Sequence, residues 1–379
     1  IQPSTRTRQT TEPKVFPAAV RGWIRNELMA RPKSGGAEVM DNWFPTPEGC
    51  RMRKGSIKHA TIDDEVTHLT AYTSGTGKFY ACDETSIYDI TTPADPDVAP
   101  TADITGKTSG DWSSVMFSAG GGDYLVMVNG ADDMEQYPGS AWRTVNGAST
   151  PAITGVDTAD LSHVWPFKSR LFFIEGGTMS AWYLDVLSVS GAATELPLGS
   201  VFLAGGALLF GATWSLDSGA GLDDVCLFVT DKGEIAVYEG SDPSDANAWS
   251  LVGVYRIGKP LHKNAWFRAG GDIAVVTDDG VVPVSAAVKT DRAALKGQAV
   301  TYPIEEAWRQ LVARRGAGAI PFSVCLWHST AMLVVGVPTY GSFDAYCLVA
   351  NARTGAWARY TGWDTRCVFV FRDDFYFGT

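Results

Sequence analysis

Short apolar segments joined at a polar turn recur along this chain, and this recurrence constrains the fold more than any other feature. The instances are KFYACDETSIYDI at 78–90, DYLVMVNGADDMEQY at 123–137, RLFFIEGGTMSAWYL at 170–184, VCLFVTDKGEIAVYEG at 225–240 and DIAVVTDDGVVPVS at 272–285, then a long unit at 331–360 and a last one from Arg366 to Thr379. Counted from Tyr80 through Leu125, Phe172, Leu227, Ala274 and Leu333 to Phe369, the steps are 45, 47, 55, 47, 59 and 36 residues. Most lie near the roughly 40–50-residue period of a propeller blade. The turns carry NG, EGG, DKG and DDG, the residues that hairpins need at positive φ. Trp112, Trp165 and Trp266 each stand just upstream of a hairpin. Such units cannot bury both sheet faces alone, whereas radial packing hides both and leaves short edges. The expectation is an all-β, irregular β-propeller of about six blades, with a small N-terminal extension and few helices. A two-sheet sandwich is the competing arrangement. No WD or kelch pattern occurs. The last unit stops before a blade is finished and the first residue is not Met. A truncated chain, or a ring completed by an N-terminal strand, is therefore expected.

Composition agrees. In 379 residues, 45% are hydrophobic and only 19% charged, with 40 Gly and 13 Trp. That share of apolar residues excludes wholesale disorder, and so many glycines and so few charges argue against bundles and coiled coils. The run between Glu195 and Asp217 holds no charge and is long enough for a membrane span. Its Pro197, Gly199, Gly205, Gly206 and Gly211 instead favour buried strands or a short helix, so no stable membrane insertion is expected. Six cysteines lack a CxxC pair and mostly lie in apolar runs, as reduced core residues do. Helix is predicted over 303–319, where Ile304, Trp308, Leu311 and Val312 share a face, acids begin the segment and Arg314, Arg315 and Gly316 end it. A weaker amphipathic pattern covers 18–30.

Charge divides the chain. Residues 1–60 carry 11 Lys or Arg against 5 Asp or Glu, whereas the remainder carries 20 against 37. A basic docking segment at 1–58 and an acidic propeller body at 59–379 follow. The acidic total excludes a protein that coats nucleic acid. Arg51, Arg53 and Lys54 form the basic cluster. A strand here would put Arg51 and Arg53 on one side, able to grip phosphate or a neighbour's carboxylates, or to defend a solvated edge.

Residues able to do chemistry are present without the spacing that chemistry needs. The pairs Asp63/Asp64, Asp132/Asp133, Asp223/Asp224, Asp278/Asp279 and Asp373/Asp374 fall at turns and strand starts, where Asp favours the bend. A glycosidase would need two carboxyls converging across a cleft. The five histidines, at 59, 68, 163, 262 and 328, form no metal motif. Asp242, Asp245 and Asn247 in SDPSDAN lack the ligand ladder of a calcium loop. GxSxG and GxxxxGK[ST] are absent, and SAGGGD at 118–123 reads as a loop between blades rather than a phosphate cradle. No catalytic residue, metal site or cofactor is assigned, and the chain is read as no enzyme.

RGW at 21–23 and AEVMDNWFPTPEGCRMRKGS at 37–56 resemble the N-terminal signature of tail nozzle proteins, the tail tubular protein B type, of short-tailed bacteriophages and prophages. Asn42, Pro45, Thr46, Gly49, Arg51, Arg53 and Gly55 occupy the signature places, with Lys54 where the family usually has Pro. The region from Trp142 to about Pro283 is similar to blade sequences of the same proteins. The resemblance implies a structural virion protein of the tail, made in the host cytoplasm. It would form a sixfold homo-oligomer beneath a tail adaptor, near tail fibres, with double-stranded DNA passing through its lumen without tight binding. Asn42, Trp43, Arg51, Arg53 and Lys54 are the candidate docking residues. A glycan-binding or sialidase-like tail propeller is the alternative.

Overall fold

A computed structural model describes residues 17–26, 35–215, 224–315, 322–337, 339 and 344–379. The hairpins pair antiparallel within sheets and the sheets follow one another around an axis, as the repeat predicts. The first blade has strands His68–Tyr72, Lys78–Cys82 and Ile87–Asp89. The second has Ser113–Ala119, Gly122–Val128, Met134–Tyr137 and Arg143–Val145. Leu161–Phe167, Arg170–Glu175, Ser180–Tyr183 and Thr194–Pro197 build the third, and Leu208–Ser215, Asp224–Thr230, Glu234–Gly240 and Trp249–Arg256 the fourth. The fifth holds Trp266–Ala269, Asp272–Thr277 and Gly280–Pro283; the sixth holds Ser323–Trp327, Met332–Val337, Tyr346–Asn351 and Ala356–Thr361. A two-stranded hairpin, Cys367–Phe371 with Asp374–Gly378, fills the gap between the sixth blade and the first.

Radial packing explains why second strands read as continuous apolar runs. A sheet covered on one face alternates, while a sheet covered on both does not. Met332–Val337 is buried at every position, and Asp224–Thr230 at every position but its first. Separate apolar clusters fill the wedges between neighbouring blades. Close approach also fixes composition: a Cβ on Gly211 would stand 2.3 Å from the Trp165 ring of the next blade. In the turn after Thr230, Gly233 takes φ +80°, with two carbonyl oxygens 2.6 Å from any added Cβ.

The uncharged stretch before Asp217 becomes the outer strand of the third blade and the inner strand of the fourth, and no described helix is long and apolar enough to cross a membrane. The predicted helix forms as Glu305–Arg315 after a 3-10 turn at Tyr302–Ile304, burying Ile304, Trp308 and Leu311 between the fifth and sixth blades. Its expected cap, Gly316, lies outside the described residues. Two short helices, Val284–Lys289 and Arg292–Leu295, follow the fifth blade without having been expected.

Three expectations are corrected. The amphipathic pattern at 18–30 is not helical where described. Trp23 donates its backbone N–H to Trp357 O at 2.6 Å and bridges Ala37, so its apolar side packs on a strand instead. SAGGGD lies within the second blade, as the turn between its first two strands, because Gly122 at φ +129° reverses the chain there. Among the described residues, the gap in the ring is filled by the terminal hairpin rather than by an N-terminal strand. Phe371 stacks on Phe79 of the first blade at 4.8 Å, and Val66 N–H bonds Thr379 O at 3.0 Å. The N-terminal hairpin, Trp43–Thr46 with Gly49–Met52, lies outside the ring against the sixth blade.

Candidate functional site

The first strands of all seven sheets converge on one axial cavity of about 440 Å³. His68, Ser113, Ser114, His163, Trp165, Thr213, Trp266, Arg268, Ser323 and Arg366 are among its lining residues. Two of the three tryptophans that mark the hairpins in the sequence, Trp165 and Trp266, therefore line the axis, and Trp112 is buried beside it.

A strap crosses the axis at one end. The segment His262–Asn264 leads into the fifth blade but binds residues of the second. Asn264 Nδ2 donates to Trp112 O at 2.8 Å, and Lys263 Nζ donates to Asp111 O at 2.6 Å and to Asn129 O at 3.4 Å. Lys263 Nζ and His262 Nε2 each lie 3.2 Å from Asp111 Oδ2. Second and fifth blades are three steps apart in a ring of seven sheets, so the strap crosses the axis. Burial alone would raise the Asp111 carboxyl. The His262 hydrogen bond and the His262 and Lys263 charges outweigh it and hold the group well below the usual carboxylate range. Burial lowers the Lys263 ammonium, and Asp111 opposes that.

The axial histidines and serines are engaged with one another and with nearby backbone. His163 Nε2 donates to Gly211 O at 2.9 Å, which leaves Nδ1 to accept from the Ser113 hydroxyl at 2.9 Å. Ser114 Oγ contacts His68 Nε2 at 3.0 Å and Thr70 Oγ1 at 2.8 Å. Burial depresses His163 to about 3 and His68 to about 4, so both are neutral near pH 7. A general base works best with a pKa near the operating pH.

The carboxylate pairs serve turns. Asp132 accepts from Thr108 N–H and the Asn129 amide, Asp133 from Asn146 and Thr158, and Asp278 from Lys259 N–H at 2.7 Å. Asp223 lies outside the described residues. Asp242 and Asp245 bond Ser244 and Asn247 of their own loop, and Asp242 also faces Arg170 at 3.4 Å. Among the described residues, no group of three metal-ligating side chains assembles.

The N-terminal signature residues build a clasp. Asn42 adopts φ +62°, a conformation that Asn tolerates better than most residues. Its side chain exchanges hydrogen bonds with Thr361, at 2.8 Å to the hydroxyl and 3.0 Å from the backbone N–H. Arg53 Nε donates to Asn42 Oδ1 at 2.7 Å, and its guanidinium reaches Thr361 O and lies 4.9 Å over Trp363. Asp41 holds Arg359 through two bonds of 2.8 and 2.7 Å. Phe44 is buried against Tyr360 and Val368, with Arg51 4.8 Å above its ring. Alternation thus turns Phe44 and Arg51 toward the body and Trp43 and Met52 toward solvent. Lys54 is exposed. Of the five candidates, Asn42 and Arg53 bind the protein's own last blade, and Arg51 covers that contact. Trp43 and Lys54 present outward. Sequence reasoning missed Asp111, His262 and Lys263. Their only local signal was position, one residue before Trp112 and three to four before Trp266.

No protein family and no curated protein matches this chain. Among solved structures, it is similar to the extracellular domain of a protein named as a hybrid two-component system of B. thetaiotaomicron, with TM-score 0.53 and 11% identity over 89% of this chain. The match covers 42% of that longer chain. A quinonprotein alcohol dehydrogenase-like protein from Bacteroides thetaiotaomicron gives TM-score 0.42 at 13% identity, over 77% of this chain and 65% of that one. A protein named as a 6-phosphogluconolactonase from Bacteroides uniformis gives 0.41 at 12% identity, over 80% and 85%. The first likeness supports the propeller fold and carries nothing about activity.

Proposed function

We propose that this chain is a structural, non-catalytic virion protein, a tail nozzle subunit that forms a sixfold ring extending and gating the DNA channel of a short-tailed phage. The observation that carries the reading is the clasp. Asn42 and Arg53, which carry the resemblance, together fix the N-terminal hairpin against the sixth blade. Signature residues with a shared structural task support the resemblance better than matching letters do.

The axis adds support from the other side. Its His68 and His163 are neutral near pH 7, and its Asp111 is tied to His262 and Lys263. Its volume is that of a small-molecule pocket and is far too small for duplex DNA. DNA therefore passes between subunits, through the lumen of a ring, with a tail adaptor above and tail fibres beside it. Carboxylate-rich turns repel phosphate, so Asp63, Asp64, Asp132, Asp133, Asp278 and Asp279, at the end where inner strands begin, suit a surface along which DNA slides.

Electron microscopy of the purified protein and of virions tests this. A sixfold ring on the tail axis is expected. A density away from that axis, or a monomer that releases sugar from a host glycan, overturns it in favour of a glycan-active tail propeller.

A further inference from the structure

Outer strands decide where a β protein meets other chains, because their N–H and C=O groups lack partners on one side. Most outer strands here are short or covered. Ile87–Asp89 and Arg143–Val145 have three residues each, and Ile87 is bridged by Ile104. Thr194–Pro197 has four and ends in proline. Gly280–Pro283 is followed by helices, and Ala356–Thr361 carries the N-terminal arm through the bridges Gly22–Trp357 and Asp41–Arg359.

The fourth blade differs. Its outer strand Trp249–Arg256 has eight residues, WSLVGVYR, without Lys, Asp, Glu or Pro. Leu251 and Val252 are 44% and 50% exposed. Its sheet ends there, and no described strand pairs with its far side. Of the usual defences against edge pairing it has one bulge, at Val252, which has no partner between Leu251 opposite Tyr238 and Gly253 opposite Val237.

A second free edge lies on the N-terminal hairpin. Gly49–Met52 pairs with Trp43–Thr46 on one side and with no described strand on the other. Trp43 is 45% and Met52 69% exposed on its outward face, and Lys54, just past the strand, is exposed as well. The fourth-blade strand has the opposite rim. Glu239, opposite Ser250, and Asp245 are both exposed.

We propose that Trp249–Arg256 of one copy of this chain receives the N-terminal hairpin of a second copy as an added strand. Gly49–Met52 supplies the backbone pairing. Trp43 and Met52 cover Leu251 and Val252, and Lys54 meets the acidic rim of Glu239 and Asp245. This contact rests on the ring reading above and names the surfaces that would build it. The two surfaces differ, so the contact is head-to-tail and closes only if its angles allow. The hairpin sits on the sixth blade toward the terminal hairpin, two to two and a half sheets from the fourth. With coplanar wheels, that separation is about 100–130° and closes a ring of roughly five to seven copies.

Light scattering of the full chain after size-exclusion chromatography tests the contact, using Val252→Lys, Lys54→Glu and the pair Lys54→Glu with Glu239→Lys. Circular-dichroism melts verify that each variant folds. The wild type should elute as a closed multimer of a 40.7 kDa chain. Val252→Lys should weaken association by about tenfold or more, Lys54→Glu by a few-fold, and the charge-exchanged pair should regain most of that loss. A wild type that stays monomeric to roughly 100 µM, or variants that associate as the wild type does, overturns the contact. Rings insensitive to Val252→Lys would leave the nozzle reading standing. Rings that form through this contact but are missing from virion tails would overturn the nozzle reading and leave the contact.

Discussion

The outer edges of the fourth and sixth blades are built from the same kind of strand and are treated in opposite ways. Ala356–Thr361 is covered by a hydrogen-bonded arm whose Phe44 is only 2% exposed. Trp249–Arg256 runs longer and keeps Leu251 and Val252 in solvent. The covered edge contributes to the stability of the monomer. The open edge has no described strand beyond it. Apolar residues are therefore no guide to the core unless the covering element is identified as well.

Several substitutions would break or sharpen this contrast, and the largest effect is expected at the covered edge. Phe44→Ala should cost about 3–5 kcal/mol in urea denaturation, as truncation of a buried Phe does, whereas Val252→Ala should stay within about 0.5 kcal/mol. Equal losses at the two positions would erase the distinction. At the axis, Asp111→Ala leaves Lys263 buried without its counter-charge, and a loss of about 3 kcal/mol is expected by the same assay. A neutral result would mean that the strap opens freely.

The buried histidines give a pH signature that neither edge shares. In the unfolded chain a histidine takes its proton near pH 6.5, but folded His68 does so only at about 4 and His163 at about 3. The unfolded state thus binds more protons as pH falls below 6.5, and stability declines by about 1.4 kcal/mol per pH unit for each histidine until its folded pKa is reached. His163→Gln should flatten the slope of the denaturation free energy between pH 6 and about 4; an unchanged slope would remove His163 from the account. Smallest of all, Asp41→Asn should weaken the half-exposed Arg359 pair by about 1 kcal/mol or less. A loss as large as that of Phe44→Ala would shift the clasp's main contribution from packing to charge.

Much of the architecture was legible because hairpin repeats leave local marks. Turn residues at 231–233 and 278–280, apolar runs such as VCLFV, and the spacing of the units follow from pairing and burial within one stretch of chain. The helix at 305–315 was legible for the same reason. SAGGGD was misplaced because a glycine-rich turn looks alike inside a blade and between two. The segment 18–30 misled because an apolar face does not say whether a helix or an irregular strand will bury it. At the candidate site, the sequence marked Asn42, Trp43, Arg51, Arg53 and Lys54 but could not tell that Asn42 and Arg53 turn inward. Their partners Thr361 and Trp363 lie more than 300 residues away. The strap was illegible for the same reason, since Asp111 and Lys263 are joined only once the ring closes.

By itself, then, the sequence determined the strands, their turns and the radial packing that their unbroken apolar runs demand, because those depend on neighbours along the chain. Only the tertiary structure decided which edge is covered and which is bare, which arginine is spent on its own blade, and which segment crosses the axis. Those outcomes depend on residues brought together across the ring, and nothing local encodes the distance between them.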